Sequence, residues 1–224
     1  MNNIELRNID SEDIEVLLVK VEDSFEIEFA ESELEYVNTF GEMCDHIKTK
    51  IQLDHVDNCT TQQAFYKLRK VISEALPIDR DQIRLDTLIT EILPRRKRKK
   101  RVKMIEQNLG FKITILRPHK FVHGFLLVLL LTSFITLLYK WQFGLIGFGL
   151  AIGGSWIAAK TGNEVDIKNM GELTEKMTRE NYFKFRRNSK SYNDNEIERV
   201  LVDLFSHELV IDKSKLTRDA KFNW

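Results

Sequence analysis

The sequence predicts an all-α protein made of small helical bundles and a two-helix transmembrane hairpin. Two observations lead there. Phe121 to Tyr139 and Phe143 to Ala159 are runs without a charged residue, separated only by Lys140, Trp141 and Gln142. At ~1.5 Å per residue the first run alone spans roughly the ~30 Å hydrocarbon core of a bilayer. Elsewhere, apolar residues recur at helical spacing between capping residues and prolines, the pattern of amphipathic helices.

The flanks of the hairpin predict its sidedness. Arg95, Arg96, Lys97, Arg98, Lys99, Lys100 and Arg101 precede it, followed by Lys103, Arg117 and Lys120, whereas Lys140 is the only charge in the connection. By the positive-inside rule, an inner or cytoplasmic membrane would be crossed twice, with both soluble portions cytoplasmic. Met1 to Asp13 is polar and acidic, so no signal peptide is expected and the hairpin would direct its own insertion. In the second run, Gly149 and Gly153 form a small-xxx-small step, expected to bring helix backbones together within the hairpin or between copies.

The 224 residues balance 34 Lys and Arg against 34 Asp and Glu, but unevenly. Residues 1–57 hold sixteen acidic and four basic side chains, while residues 60–120 hold six acidic and sixteen basic. The two stretches are expected to meet different partners. The run Arg95 to Arg101 would attract anionic membrane lipid at ~1 kcal/mol per residue; a solvated run that only fixes topology fits the same residues. Nucleic acid is not expected, since no aromatic interleaving accompanies the charges.

Cys44 and Cys59 are too few for a disulfide framework and read as reduced thiols. With His46 and His55 they offer four zinc-type ligands, but Cys-x-His sits inside an amphipathic helical pattern and matches no common finger, so no metal is expected. No Ser-His-Asp order, HExxH or P-loop is present, and no catalytic role is expected.

Taken in order, Asn8 to Phe25 reads as a capped helix with apolar Ile14, Leu17, Leu18 and Val21. Phe25, Ile27 and Phe29 form an extended link, Glu31 to Val37 a helical turn, and Thr39 caps a helix to Ile51 that buries Phe40, Met43 and Ile47. Thr60 or Thr61 caps the next helix, with Phe65, Leu68, Val71, Ile72 and Leu76 on one face before Pro77 ends it. Ile78 to Leu88 is a loop anchored by Ile83 and Leu88. After Pro94 a basic helix runs to about Asn108, with Val102, Ile105 and Leu109 buried, and a last helix covers about Asp194 to Leu209.

An internal repeat is present. Tyr66 to Ile89 lies without gaps on Arg199 to Phe222, with Leu68, Ser73, Leu76, Ile78, Asp79 and Asp86 identical to Leu201, Ser206, Leu209, Ile211, Asp212 and Asp219. Asn169 to Leu173 likewise echoes NTFGEM, residues 38–43, in its Gly-Glu pair.

These segments resemble acyl carrier proteins. A helix followed by VIDKSKLTRDAKF is similar to the family's first helix and loop. Asp10-Ser11-Glu12-Asp13 leading a helix, then FEIEF and NTFGEMCDHI, resembles the remainder. The resemblance implies two carrier-like bundles. One comprises residues 1–57 completed by 192–224, so that its parts come from both termini, within one chain or by exchange between two. The other comprises 58–118 and 163–190, interrupted by the hairpin at 119–161, whose ends must then return together.

The resemblance also implies chemistry. Ser11 stands where the family attaches 4′-phosphopantetheine, although Glu12 replaces the usual leucine and Asn8 the usual glycine. Simple capping by Asp10 or Ser11 also fits the residues. An acidic face of Glu12, Asp13, Glu15 and Glu22 would dock basic patches on acyl-transferring or lipid-synthesis enzymes. The second bundle has no serine at the equivalent place. The function implied is a membrane-anchored carrier in lipid or fatty-acid metabolism; a non-catalytic interaction module or membrane scaffold is the alternative.

Overall fold

A computed structural model describes residues 5–30, 32–51, 53–188 and 190–223. The chain is mainly helical: α1 (Ser11–Phe25), α2 (Phe40–Lys50), α3 (Thr60–Ala75), α4 (Ile89–Ile92), α5 (Arg98–Leu109), α6 (Lys120–Tyr139), α7 (Trp141–Thr161), α8 (Met170–Glu180), α9 (Tyr182–Phe185) and α10 (Asp194–Glu208). Two-residue strands β1 (Asp54–His55) and β2 (Ser191–Tyr192) pair in parallel. Two compact units result, residues 1–70 with 171–224, and residues 71–170. The division falls within α3 and beside the first residue of α8, rather than near residues 57 and 191.

In the terminal unit, α1 and α2 bury Ile14, Leu17, Val21, Phe25, Phe40, Met43 and Ile47 in one cluster with Ile197, Val200, Leu201, Leu204 and Phe205 of α10. The two ends of the chain therefore share a core within one molecule. Phe40 meets Phe205 edge-on, with ring centroids 5.0 Å apart. Thr39 and Glu42 form a reciprocal capping box at the start of α2. A Cβ on Gly41 would lie 2.7 Å from the Arg218 carbonyl oxygen, which the Gly41 N–H itself donates to at 2.8 Å. The Gly-Glu pair noticed in sequence thus has two jobs: the glycine lets the C-terminal loop close on α2, and the glutamate caps.

The internal repeat is written in hydrogen bonds as well as residues. Asp79 and Asp212 each accept from the N–H two residues on, starting short 3₁₀ turns at Arg80–Gln82 and Lys213–Lys215. Phe40 N–H donates to Ala220 and Phe222 N–H to Asn38; at the matching places Met170 N–H donates to Thr87 and Ile89 N–H to Lys168. The isolated bridges Thr39 to Lys221 and Leu88 to Asn169 coincide in the same way. Finally, Glu22 accepts from Phe29 N–H at 2.6 Å, and Glu106 from Ile113 N–H at 2.9 Å. Both contacts span seven residues, past a left-handed residue, Glu26 or Gly110, that ends the helix.

Some local expectations differ. Leu88 is 49% exposed, and its neighbour Ile89 takes the anchoring place in α4. Residues 32–36 make turns, and Glu31 lies outside the described residues. The start of α3 is not capped by its own threonines. The Glu196 carboxylate accepts Thr60 N–H at 2.9 and 3.0 Å, while the Thr60 hydroxyl accepts from Arg186 at 2.7 Å. Arg186 is buried, 3.9 Å from Glu196, and also donates to Tyr182 Oη and Ser191 Oγ. This network binds the segment leading into α3 to the one between α9 and α10.

In the second unit, α6 and α7 are each long and apolar enough to cross a membrane. They pack on each other through Gly144, Gly147, Ala151, Gly154 and Ala158, a stripe at three- and four-residue spacing. A Cβ on Gly144 would stand 2.6 Å from the Leu137 backbone, and one on Gly147 3.1 Å from Ser133 Cβ. Gly149 and Gly153 face open space, so the expected Gly149-Gly153 step is not the seam within the hairpin. The hairpin ends return together: Arg117 and Glu164 exchange backbone hydrogen bonds at 2.9 and 3.0 Å. An engineered Ser133→Cys/Gly147→Cys pair should therefore form an intrachain disulfide under mild oxidant. Adding Gly144→Leu, which wedges the seam, should abolish it in a gel-shift assay.

Candidate functional site

Ser11 is the first residue of α1, and the capping question is settled by its neighbour. Asp10 is the residue that caps, its carboxylate accepting Glu12 N–H at 3.4 Å. Ser11 is half-buried, and its hydroxyl makes no hydrogen bond among the described residues. The other hydroxyls at helix starts are engaged: Thr39 in its capping box and Thr60 by Arg186. A hydroxyl without a partner among the described residues, on the first turn of a fifteen-residue helix, suits a phosphodiester, because the helix dipole there favours an anion. The residues present thus fit a phosphopantetheine attachment.

Around Ser11 the structure separates what the sequence grouped. Glu12, Asp13 and Glu15 are exposed, while Glu22, in phase with Ser11 and Glu15, is half-buried and already engaged. Its carboxylate is spent on Phe29 N–H, the contact that Glu106 repeats in the second unit. The exposed face instead includes Val16, 62% exposed, and Val19, 56% exposed. Sequence reasoning missed both, although they fall outside the Ile14, Leu17, Val21 register and so had no place in the core. A groove of about 260 Å³ runs beside them, lined by Ile9, Asp13, Val16, Leu17, Leu209 and Val210 and closed by the Lys20–Glu208 ion pair. At 100° per residue it lies on the side of α1 away from Ser11, which shares its phase with Glu15, Leu18 and Glu22.

The link after α1 is held by a charged knot. Glu33 accepts from Ala30 N–H at 2.7 Å and contacts Lys50 at 2.6 Å and His46 at 2.8 Å. The Lys50 ammonium, then the Ala30 amide, hold its carboxyl well below the usual range, at about 2. A depressed carboxyl stabilises the fold above its unfolded value and loses that contribution as pH falls through its folded one. Glu33→Gln should therefore be less stable than wild type above about pH 4.5 and converge on it towards pH 2, as read from acid-unfolding curves.

The run Arg95 to Arg101 divides. Arg98 is buried, donating to the Leu93 and Asn163 carbonyls at 3.0 and 2.5 Å, and Arg101 donates to the Ile92 carbonyl at 2.5 Å. Arg95 pairs with Glu164 at 2.7 Å. Arg98 and Arg101 are thus not free to face lipid, since they secure the end of α4 and the returning hairpin, whereas Arg95 is paired but exposed. Arg96, Lys97, Lys99 and Lys100 are exposed. The signal was available, since Arg98 lies four residues before Val102 and seven before Ile105, on the buried stripe.

The four zinc-type side chains are not brought together. Cys44 is buried in the core, and burial pushes its thiol up to about 12. His46 stacks on Phe29, His55 accepts from Asp194 N–H, and Cys59 is exposed. Among the described residues no group of three or more His, Cys, Asp or Glu could hold a metal ion. A cleft of about 610 Å³ lined by Cys59, Thr61, Glu175, Arg179, Arg199 and Lys213 carries mixed charge, with Lys213 paired to Asp203 at 2.5 Å and Arg199 to Glu196 at 3.4 Å. No protein-family model, no curated protein and no solved structure matches the chain.

Proposed function

We propose that this chain is a membrane-anchored acyl-carrier-like protein that accepts 4′-phosphopantetheine on Ser11. The observation that carries the proposal is the division of labour at the start of α1, where Asp10 caps and leaves the Ser11 hydroxyl without a partner among the described residues. The attached arm would supply a thiol on which acyl groups ride as thioesters. Within the chain, Asp10 holds the first turn, and the exposed Glu12, Asp13 and Glu15 steer a basic partner enzyme towards it. Val16 and Val19 give that partner apolar surface to bury. In the second unit Arg95 occupies the place matching Ser11, so that unit anchors and does not carry.

The membrane reading is supported by the two apolar helices and by aromatic residues at both their ends: Tyr139, Trp141 and Phe143 at the tip, Phe121 and Trp156 at the base, all well exposed. Aromatic side chains favour the two interfaces of a bilayer. Trp156 also lies beneath the Lys160 ammonium, 3.6 Å from its ring centre. We place both soluble units on the cytoplasmic side, next to membrane enzymes that use acyl groups. Purified chain should take up a fluorescent coenzyme A analogue in the presence of a promiscuous phosphopantetheinyl transferase, and Ser11→Ala should not. Replacing Glu12, Asp13 and Glu15 by lysine should slow labelling at least tenfold at low salt while leaving helicity unchanged. Equal labelling of wild type and Ser11→Ala would refute the assignment.

A further inference from the structure

The two units carry opposite charge. Residues 1–70 with 171–224 hold 26 acidic and 18 basic side chains, while residues 71–170 hold 8 and 16, giving net charges of −8 and +8. Part of that difference lies at corresponding places of the internal repeat. Glu22 and Glu106 match through their contacts to Phe29 and Ile113, which sets α1 and α5 in register at an offset of 84 residues. In that register Glu12, Asp13 and Glu15 fall on Arg96, Lys97 and Lys99, while Val16 and Val19 fall on Lys100 and Lys103. All ten residues are exposed, and the eight charged side chains make no hydrogen bond or ion pair among the described residues.

Helical phase gathers each set on one side. At ~100° per residue, Glu12, Val16, Val19 and Asp23 make a stripe along α1, with Asp13 and Glu15 on its two flanks. On α5 the corresponding stripe is Lys100, Lys103 and Gln107, flanked by Lys99, with Arg96 and Lys97 in the turn that leads into it. Cations at a helix start oppose its dipole, so this run costs α5 local stability that an acidic partner would return. The α1 face is apolar as well as acidic. Val16 and Val19 are 62% and 56% exposed, and Val210, 67% exposed, borders the groove of about 260 Å³ beside Val16. Val210 is held at φ 55°, in the left-handed region where a β-branched residue is strained. Strain of this kind gathers at sites that bind or switch.

We infer that the α1 stripe of one copy of this chain docks on the α5 stripe of a second copy. Lysine suits such a contact: its stem covers apolar surface, here Val16 and Val19, while its ammonium stays at the polar edge, here Glu12, Asp13 and Glu15. Two α1 stripes repel each other, as do two α5 stripes, so the contact joins unlike faces. Every chain supplies both halves in equal number, which favours a second copy over an unrelated basic protein. The inference goes beyond the Ser11 reading and does not depend on it. A docked copy would also compete with a basic enzyme for Glu12, Asp13 and Glu15.

The full chain is kept in neutral detergent at low salt, with donor and acceptor dyes placed on separate batches through the exposed Cys59. Wild type should show energy transfer between chains that disappears at high salt. One variant replaces Glu12, Asp13 and Glu15 by lysine; the other replaces Lys97, Lys99, Lys100 and Lys103 by glutamate. Each variant alone should associate about tenfold more weakly, since its two stripes then share one sign, and an equal mixture should regain transfer, because each supplies what the other lacks. Protection of the buried Cys44 from alkylation shows that each variant is folded. Wild type without transfer at low salt, a result that needs no variant, would overturn the inference and leave the α1 face to an unlike basic protein. A folded mixture without transfer would overturn it as well. Transfer that survives both reversals would overturn it in favour of association through the hairpin. Loss of wild-type transfer on adding phosphoglycerol lipid at constant ionic strength, but not phosphocholine, would overturn it by giving α5 to a lipid surface.

Discussion

Removing residues 190–224 should expose the Cys44 thiol to alkylation, although Cys44 lies 146 residues before the cut. In the intact chain Cys44 is fully buried in the core and its thiol is held protonated by burial, whereas Cys59 is exposed. An alkylating reagent at neutral pH should therefore modify one cysteine. The truncation takes away Ile197, Val200, Leu201, Leu204 and Phe205, which close the cluster over α1 and α2. At ~1.5–3 kcal/mol for each buried side chain, five of them are worth roughly 8–15 kcal/mol, as much as the whole stability of a typical domain. The truncated chain should thus show two reactive cysteines by mass and rapid proteolysis of residues 10–51. Persistent protection of Cys44 would mean that the N-terminal helices fold without α10.

Glu196→Ala should be the most damaging single substitution among the polar residues. It removes the acceptor of Thr60 N–H and the carboxylate nearest Arg186, whose side chain is only 1% exposed. Breaking a buried pair from one side costs ~3–5 kcal/mol, because the remaining charge stays buried and uncompensated. At 1.4 kcal/mol per decade, the rate of Cys44 modification through transient opening should rise by about two to three and a half decades. The double variant Glu196→Ala/Arg186→Met should recover much of the loss, since replacing both partners removes the stranded charge. A double variant as labile as the single one would show that the stability lies in the hydrogen bonds to Thr60 and not in the pair.

These two sites mark where the sequence was and was not readable. Features that rest on neighbours were legible: Asp10 before α1, Thr39 with Glu42 at α2, the uncharged hairpin, and the Asp79 and Asp212 turns whose likeness reveals the repeat. Features that depend on distant partners were not. The Glu196 cap on α3 crosses 136 residues, and nothing near Thr60 announces it. Arg98 and Arg101 were hidden by their own surroundings, because a run of seven cations gives the reader no contrast until helical phase is counted from Val102. Glu22 looked like one more surface acid on an acidic helix; only its counterpart Glu106, in a basic helix, reveals that both serve the backbone seven residues on. Tyr182, Phe183 and Phe185 fill the core from a single four-residue turn, too short to carry a period.

At the candidate site the residue was legible and its state was not. DSED reads equally as a cap or as an attachment sequence, and only the geometry gives the cap to Asp10. The central claim, that Ser11 carries the prosthetic arm, is tested most directly by the intact mass of the chain after coexpression with a broad phosphopantetheinyl transferase. The account predicts a gain of one phosphopantetheinyl group, localised to the peptide containing Ser11 and absent from Ser11→Ala. A wild-type chain that is folded, with Cys44 protected, yet has an unchanged mass would contradict it.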